Sequence, residues 1–220
     1  MFLDGLRHAA QIADLSYTRL CRGLTTHAVD HGKGQAQSAS TRLLLDAWAF
    51  IDATDRFRCL WEMQPNAEVM PEPFSPKTVR HQLQGIRDLR NVSAHLAQKI
   101  DQIVAINSSV LGSISWLTIL SRSPLKIKTC FVRPGIVQGA VSDQFAMPKG
   151  DVQFVHDSGC ISVAAGKHKA TLSSAYELIH NIIAFAEKRL NSEFEHCSLT
   201  ERCPSEIFGT ADLDIGTHDT

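Results

Sequence analysis

The run TRLLLDAWAFIDATDRFRCLWEM, residues 41–63, constrains the fold more than any other stretch of this chain. It has helical spacing and is apolar nearly all round, which marks a helix enclosed by other secondary structure. It nonetheless carries Asp46, Asp52, Asp55, Arg56 and Arg58. Charges on an enclosed helix must reach water or find partners of opposite sign. Ser40 or Thr41 offers the N-cap.

Three further segments show helical periodicity. Leu6, Ala10, Ala13, Tyr17, Leu20 and Leu24 form one stripe, which stops where HGKG breaks the pattern. A third helix is expected over 75–106, opened by the Ser75–Pro76 pair as N-cap and first turn. Leu172, Tyr176, Ile179, Ile183, Ala186, Leu190 and Phe194 form the stripe of a fourth. Between the third and fourth, SISWLTIL, KIKTCFVRP, IVQGAVS, DVQFVHD and CISVAA are short, β-branched and separated by Gly, Pro, Asp or Ser. They read as strands of a small antiparallel meander. The expected fold class is therefore α+β: a four-helix up-down bundle with a β meander inserted between helices 3 and 4. Residues 1–194 are expected to form one domain with the β insertion over 113–165. Residues 195–220 are read as an acidic, poorly ordered tail.

Charge narrows the functional classes. A formal net charge of −1 over 220 residues gives no global basic field. The neutrality hides two basic patches, one with Lys77, Arg80, Arg87, Arg90 and Lys99, the other with Arg122, Lys126, Lys128 and Arg133. Each patch taken singly reads as a solvated face. Six scattered cysteines without a C-x-x-C pair indicate reduced thiols and a cytoplasmic setting. The start MFLDGLRHAAQ lacks the apolar run of a signal peptide. The uncharged stretch 103–120 contains Asn107, Gly112 and several serines, so helix end, turn and buried strand explain it better than a membrane span.

RDLRNVSAHLAQKID, residues 87–101, carries the clearest chemistry. At about 100° per residue, Arg90 falls in the apolar sector with Val79, Leu83, Ile86, Ala97, Ile100 and Val104. An arginine there must find water or an acid, and Asp52 and Asp55 are the available acids. A purely structural Arg–Asp clamp would satisfy it. His95 lies roughly 140° round a regular helix from Arg90, on the face of Gln84, Asp88 and Asn91. The i,i+4 spacing lets Asn91 touch the His95 ring and fix its tautomer.

LRNVSAH, residues 89–95, resembles the signature of the HEPN superfamily, helical bundles bearing R-x(4 to 6)-H, often with Asn directly after the Arg. DAWAFIDATDRFR similarly resembles the acid-bearing second helix of such bundles. The resemblance covers mainly residues 41–106, with the last helix matched by topology and the β insertion outside it. It implies metal-independent RNA cleavage in a homodimer, of the kind found in toxin or defence systems. Carried over, His95 would act as general base on a ribose 2′-hydroxyl or as acid to the leaving oxygen. Arg90 would stabilise charge on the phosphate, Asn91 would orient or polarise, and Asp52 or Asp55 would hold the arginine. Imidazoles ordinarily titrate near neutrality, which suits such work. Arg87, Lys126 and Lys128 are the candidate RNA-binding cations. The resemblance equally admits a non-catalytic interaction or scaffold module with a protein partner.

No cofactor, metal or membrane is expected to take part. His27 and His31 have a zinc-compatible i,i+4 spacing but no evident third ligand, and a helix C-terminus favours histidines there. His196, Cys197 and Cys203 lack a second pair of ligands.

Overall fold

The computed structural model describes residues 2–30, 37–65, 69–98, 101, 109, 111–134 and 152–195. They form α1 (Phe2–Asp30), α2 (Gln37–Glu62), a 3-10 turn (Glu72–Phe74), α3 (Pro76–Gln82) and α4 (Gln84–Ala94). The strands β1 (Ser113–Arg122), β2 (Leu125–Val132), β3 (Phe154–Val155), β4 (Ser158–Ala165) and β5 (His168–Thr171) follow, then α5 (Leu172–Phe194). The fold is α+β.

The first helix buries the stripe that its spacing dictates: Leu6, Ala10, Ala13, Tyr17, Leu20 and Leu24 are all in the core. It runs antiparallel to α2, because Gly5 faces Leu60, Arg19 pairs with Asp46 and Gly23 faces Leu43. Along α2, Leu43, Ala47, Phe50, Ile51, Phe57 and Trp61 are buried, and Phe50 and Ile51 are fully so. Each large side chain of this kind contributes about 1.5–3 kcal/mol on burial. Tyr17 stacks on Tyr176 of α5 at 4.0 Å between ring centres. Its hydroxyl donates to Ser173 Oγ at 2.9 Å, and the same oxygen accepts the Ile161 N–H of β4. One serine thus ties α1, α5 and the sheet together.

The sheet is antiparallel, in the order β2-β1-β4-β3, with β5 also paired to β4. β3 pairs with β4 at Ser158 and Gly159, and β5 pairs with it from Ser162 to Ala165, so two short strands share one edge. Opposite Trp116, two β4 residues (Cys160 and Ile161) occupy the space of one, and Cys160 has φ +50°. This is a β-bulge. The tight turn His156–Asp157 also has positive φ at both positions. Its shape is held from outside: Thr25 of α1 donates to the His156 carbonyl, Ile119 N–H donates to the Asp157 carbonyl, and Arg122 pairs with the Asp157 carboxylate. α4 lies on β5, approaching so closely at Gly85 that a Cβ there would stand 3.0 Å from the Lys169 carbonyl oxygen.

Three expectations need correction. The helix expected over 75–106 is broken at Leu83 (φ −96°, ψ 11°), and α4 ends at Ala94. The physical reason lies in its buried residues, Val79, Leu83, Ile86, Leu89 and Val92, which recur mostly at i+3. At 3.6 residues per turn one straight helix would rotate such a stripe away from the core, and the break at Leu83, across which the i→i−4 bonds from Leu83 to Val79 and from Arg87 to Leu83 are kept, makes α4 a separate helix that buries Ile86, Leu89 and Val92. Leu89 and Val92 take the core places expected of Ala97, which is exposed; Ile100 and Val104 lie outside the described residues. Because of the break, the sheet does not sit between helices 3 and 4; it follows α4 and precedes α5. Nor is it a simple meander, since β1 pairs with β4 rather than only with its chain neighbour β2. The expected strand at 136–142 and the tail from 196 onward lie outside the described residues. Among the described residues, no helix is long and apolar enough to cross a membrane.

Gly112 leads into β1 with φ +80°, and a Cβ there would stand 2.7 Å from the Ala164 carbonyl oxygen. Gly112→Ala is expected to lower stability by about 1–3 kcal/mol. Urea unfolding followed by circular dichroism measures this, and an unchanged midpoint would contradict it.

Candidate functional site

The acids of α2 and the arginines of α2, α3 and α4 form one ladder. Arg56 Nε donates to Asp52 Oδ2 at 2.7 Å. Arg90 Nε stands 3.6 Å from Asp52 Oδ1 and 3.4 Å from Asp55 Oδ2. Arg58 donates to Asp55 Oδ1 from both Nε (2.9 Å) and Nη2 (2.7 Å), and to Glu62 Oε1 from Nη1 (2.6 Å). Arg80 Nη2 donates to Glu62 Oε2 at 2.7 Å. Spacing along α2 explains the local part, since Asp55–Arg58 is an i,i+3 pair and Arg58–Glu62 an i,i+4 pair.

Two arginines meet Asp55 in different ways. Arg58 is 7% exposed and Asp55 6%, so this pair is enclosed and its hydrogen bonds replace lost hydration. Arg90 is 44% exposed, its closest approaches exceed ordinary hydrogen-bond length, and it makes no hydrogen bond with a described residue. The pairing expected of Arg90 with Asp52 and Asp55 is present between α4 and α2 as ion pairs, while the enclosed, hydrogen-bonded pair to Asp55 is made within α2 by Arg58. Arg90 sits over the acids with its Nε toward both carboxylates and nearly half of its side chain exposed.

Protonation follows from the same contacts. Burial pushes the Glu62 carboxyl up, but the hydrogen bonds and charges of Arg80 and Arg58 outweigh it and hold the group below its ordinary value of 4.5. Burial works against the Arg58 cation, yet hydrogen bonds to Asp55 and Glu62 raise its pKa further above the ordinary arginine value.

His95 follows the last residue of α4 as its C-cap, at φ −116° and ψ 30°, with its N–H donating to the Asn91 carbonyl at 3.2 Å. Its side chain is exposed and that of Asn91 half-buried. The expected side-chain contact between them is not formed as a hydrogen bond among the described residues. His95 caps the helix rather than continuing it, but its N–H keeps the helical i→i−4 bond, so its backbone still leaves α4 about 140° round from Arg90. On the neighbouring face, Gln84 donates to Asp88, whose other oxygen lies 3.8 Å from His168 Nδ1 of β5.

The expected RNA-binding cations are divided. Arg87 is exposed on α4, three residues before Arg90. Lys126 and Lys128 are on β2, the strand separated by β1 and β4 from the β5 edge on which α4 packs. Three interstrand steps make that separation about 14 Å. Sequence reasoning named Arg58 and Arg80 without assigning either a partner and overlooked Glu62, although the D-x-x-R-x-x-x-E spacing from Asp55 to Glu62 was visible. Among the described residues, Cys21, Cys59, Cys130 and Cys160 are free thiols, and no group of three His, Cys, Asp or Glu could hold a metal ion. His31, His196, Cys197 and Cys203 lie outside them.

No family model, no curated protein and no solved structure matches this chain.

The lowered Glu62 pKa predicts a pH dependence with a definite sign. Its contribution to stability is complete above the ordinary value of 4.5 and is lost as pH falls through the folded-state value. The stability difference between wild type and Glu62→Gln, from urea unfolding across pH, is therefore expected to be largest above about pH 5.5 and to shrink on acidification. A difference that grows toward acid pH would contradict the assignment.

Proposed function

We propose that this chain is a metal-independent endoribonuclease of HEPN type, a four-helix-bundle derivative working as a homodimer through the α3–α4 region. The observation that carries the reading is Arg90: an exposed guanidinium, charge-balanced by Asp52 and Asp55, with the structural pairing to Asp55 supplied by Arg58. An arginine so placed presents a planar set of donors for a phosphate.

In this reading His95 removes the proton from a ribose 2′-hydroxyl, and the freed oxygen attacks the adjacent phosphorus. The bond to the 5′-oxygen breaks, leaving a 2′,3′-cyclic phosphate, and the departing oxygen takes a proton from an imidazolium. One imidazole serves as base and the His95 of a second copy serves as acid, which is why the dimer matters. Arg90 stabilises the charge that builds on the non-bridging phosphate oxygens. Asn91 orients the substrate, and Arg87 adds backbone attraction. Lys126 and Lys128 extend the RNA path to the far edge of the sheet or belong to another surface.

A second reading has its own support. Both aspartates lie within 4 Å of Arg90 and offset its charge, as a non-catalytic module docking a protein partner would permit. The activity test separates the two. Purified protein is expected to cleave single-stranded RNA in the presence of EDTA. His95→Ala is expected to slow cleavage by about 10²–10⁴-fold, and Arg90→Ala by about 10²–10³-fold, each with the wild-type melting temperature. Cleavage undiminished by His95→Ala would remove the proposed base, and a dimer that cleaves no RNA would select the interaction reading.

A further inference from the structure

α4 and β5 lie against each other in opposite senses. A Cβ at Gly85 would stand 3.0 Å from the Lys169 carbonyl oxygen. Asp88, one turn further along α4, has its Oδ2 3.8 Å from Nδ1 of His168, the residue before Lys169. One strand residue spans about 3.3 Å, the rise of about two helical residues. Lys167, next before His168, therefore comes level with Arg90 and Asn91 on the Asp88 flank of α4. His95 shares that flank, since seven residues separate it from Asp88. It stands four residues beyond Asn91, about 6 Å further along the axis. β4 and β5 reverse in two residues, with Ala165 paired to His168, and Gly166 takes φ +58° in the turn. Lys167 is exposed at its tip.

Charge decides what that lysine can do. Arg90 is offset by Asp52 and Asp55, so it brings little net attraction for a polyanion. Asp88, the one acid of α4, is occupied by Gln84 and His168. Arg87 and Lys167 are both exposed, and neither makes an ion pair with a described residue. Cations without an acid beside them are the groups that neutralise phosphates and release counterions. Of the two, Lys167 stands on the His95 flank.

Resting on the ribonuclease reading, we propose that Lys167 is a substrate-binding residue. The RNA strand leaves His95 along the β5 flank of α4 and crosses the β4–β5 turn, where Lys167 holds a phosphate next to the scissile one. The sheet, which lies outside the HEPN resemblance, thereby takes part in binding the substrate.

Fluorescence anisotropy with a labelled single-stranded 2′-O-methyl RNA tests it. That probe keeps every phosphate but lacks the hydroxyl nucleophile, so it cannot be cleaved. Lys167→Gln is expected to bind about five- to tenfold more weakly at about 50 mM salt, with the logarithmic salt slope reduced by about 0.7, the share of one contact on a single strand. Lys167→Arg is expected to keep the wild-type values. Lys188→Gln removes an exposed lysine about 24 Å along α5 from the end of β5, and is expected to bind as wild type does. The assignment is overturned if wild type does not bind this RNA, if Lys167→Gln keeps the wild-type affinity and slope, or if Lys188→Gln loses as much. Failure of the ribonuclease reading looks different. Unmodified RNA would then stay uncleaved in EDTA while the probe still binds through Lys167, which removes the catalysis and upholds the binding residue.

Discussion

The enclosed pair between Asp55 and Arg58 is the interaction on which the rest of this structure depends. α2 runs through the helical layer with apolar residues on nearly every face, and a carboxylate in that setting is tolerable only with a hydrogen-bonded counter-charge. Arg58 supplies it within one helical turn, from two of its nitrogens. Its third nitrogen engages Glu62, which reaches Arg80 of α3, so a local helix pair becomes a strut between elements. Breaking an enclosed pair of this kind by removing one partner typically costs about 3–5 kcal/mol. The gain is positional: the acid edge of α2 is held rigidly beneath α4, where Arg90 stands.

The sheet secures the other side of the helical layer. Ser173 and Thr25 bind it to α5 and α1 through hydroxyl hydrogen bonds, while Gly85 lets α4 lie directly on β5. The bulge at Cys160 and the left-handed turn at His156–Asp157 both sit in or beside β4, which is paired along both edges. Strained backbone persists where surrounding contacts over-determine it, and here three elements supply those contacts. The orientation of α4, and so of its arginine, is set by its packing on this sheet and by the burial of Ile86, Leu89 and Val92.

Much of this was legible in the residues alone. The stripe from Leu6 to Leu24, the enclosed character of α2, the final helix and the Ser75 N-cap follow from periodicity and capping chemistry, and Ser75 Oγ does accept the Thr78 N–H. The break at Leu83 was not, because i+3 and i+4 spacings differ by one residue and a stripe tolerates either until its neighbours are known. β5, the short polar run HKAT, has no alternation strong enough to mark a strand, and its pairing is dictated by β4. The division of labour between Arg58 and Arg90 was hidden for a deeper reason. On a helix apolar all round, angular position does not say which charge faces a cavity and which faces water. Only the packing of α3 and α4 decides it.

The central claim is that Arg58, and not Arg90, is the structural partner of Asp55. Double-mutant cycles on unfolding free energy measure this directly, combining Asp55→Ala with Arg58→Ala and, separately, with Arg90→Ala. The account predicts a coupling of about 2–3 kcal/mol for Arg58 and below about 0.5 kcal/mol for Arg90. A coupling for Arg90 as large as that for Arg58 would contradict it, returning Arg90 to the framework of the fold.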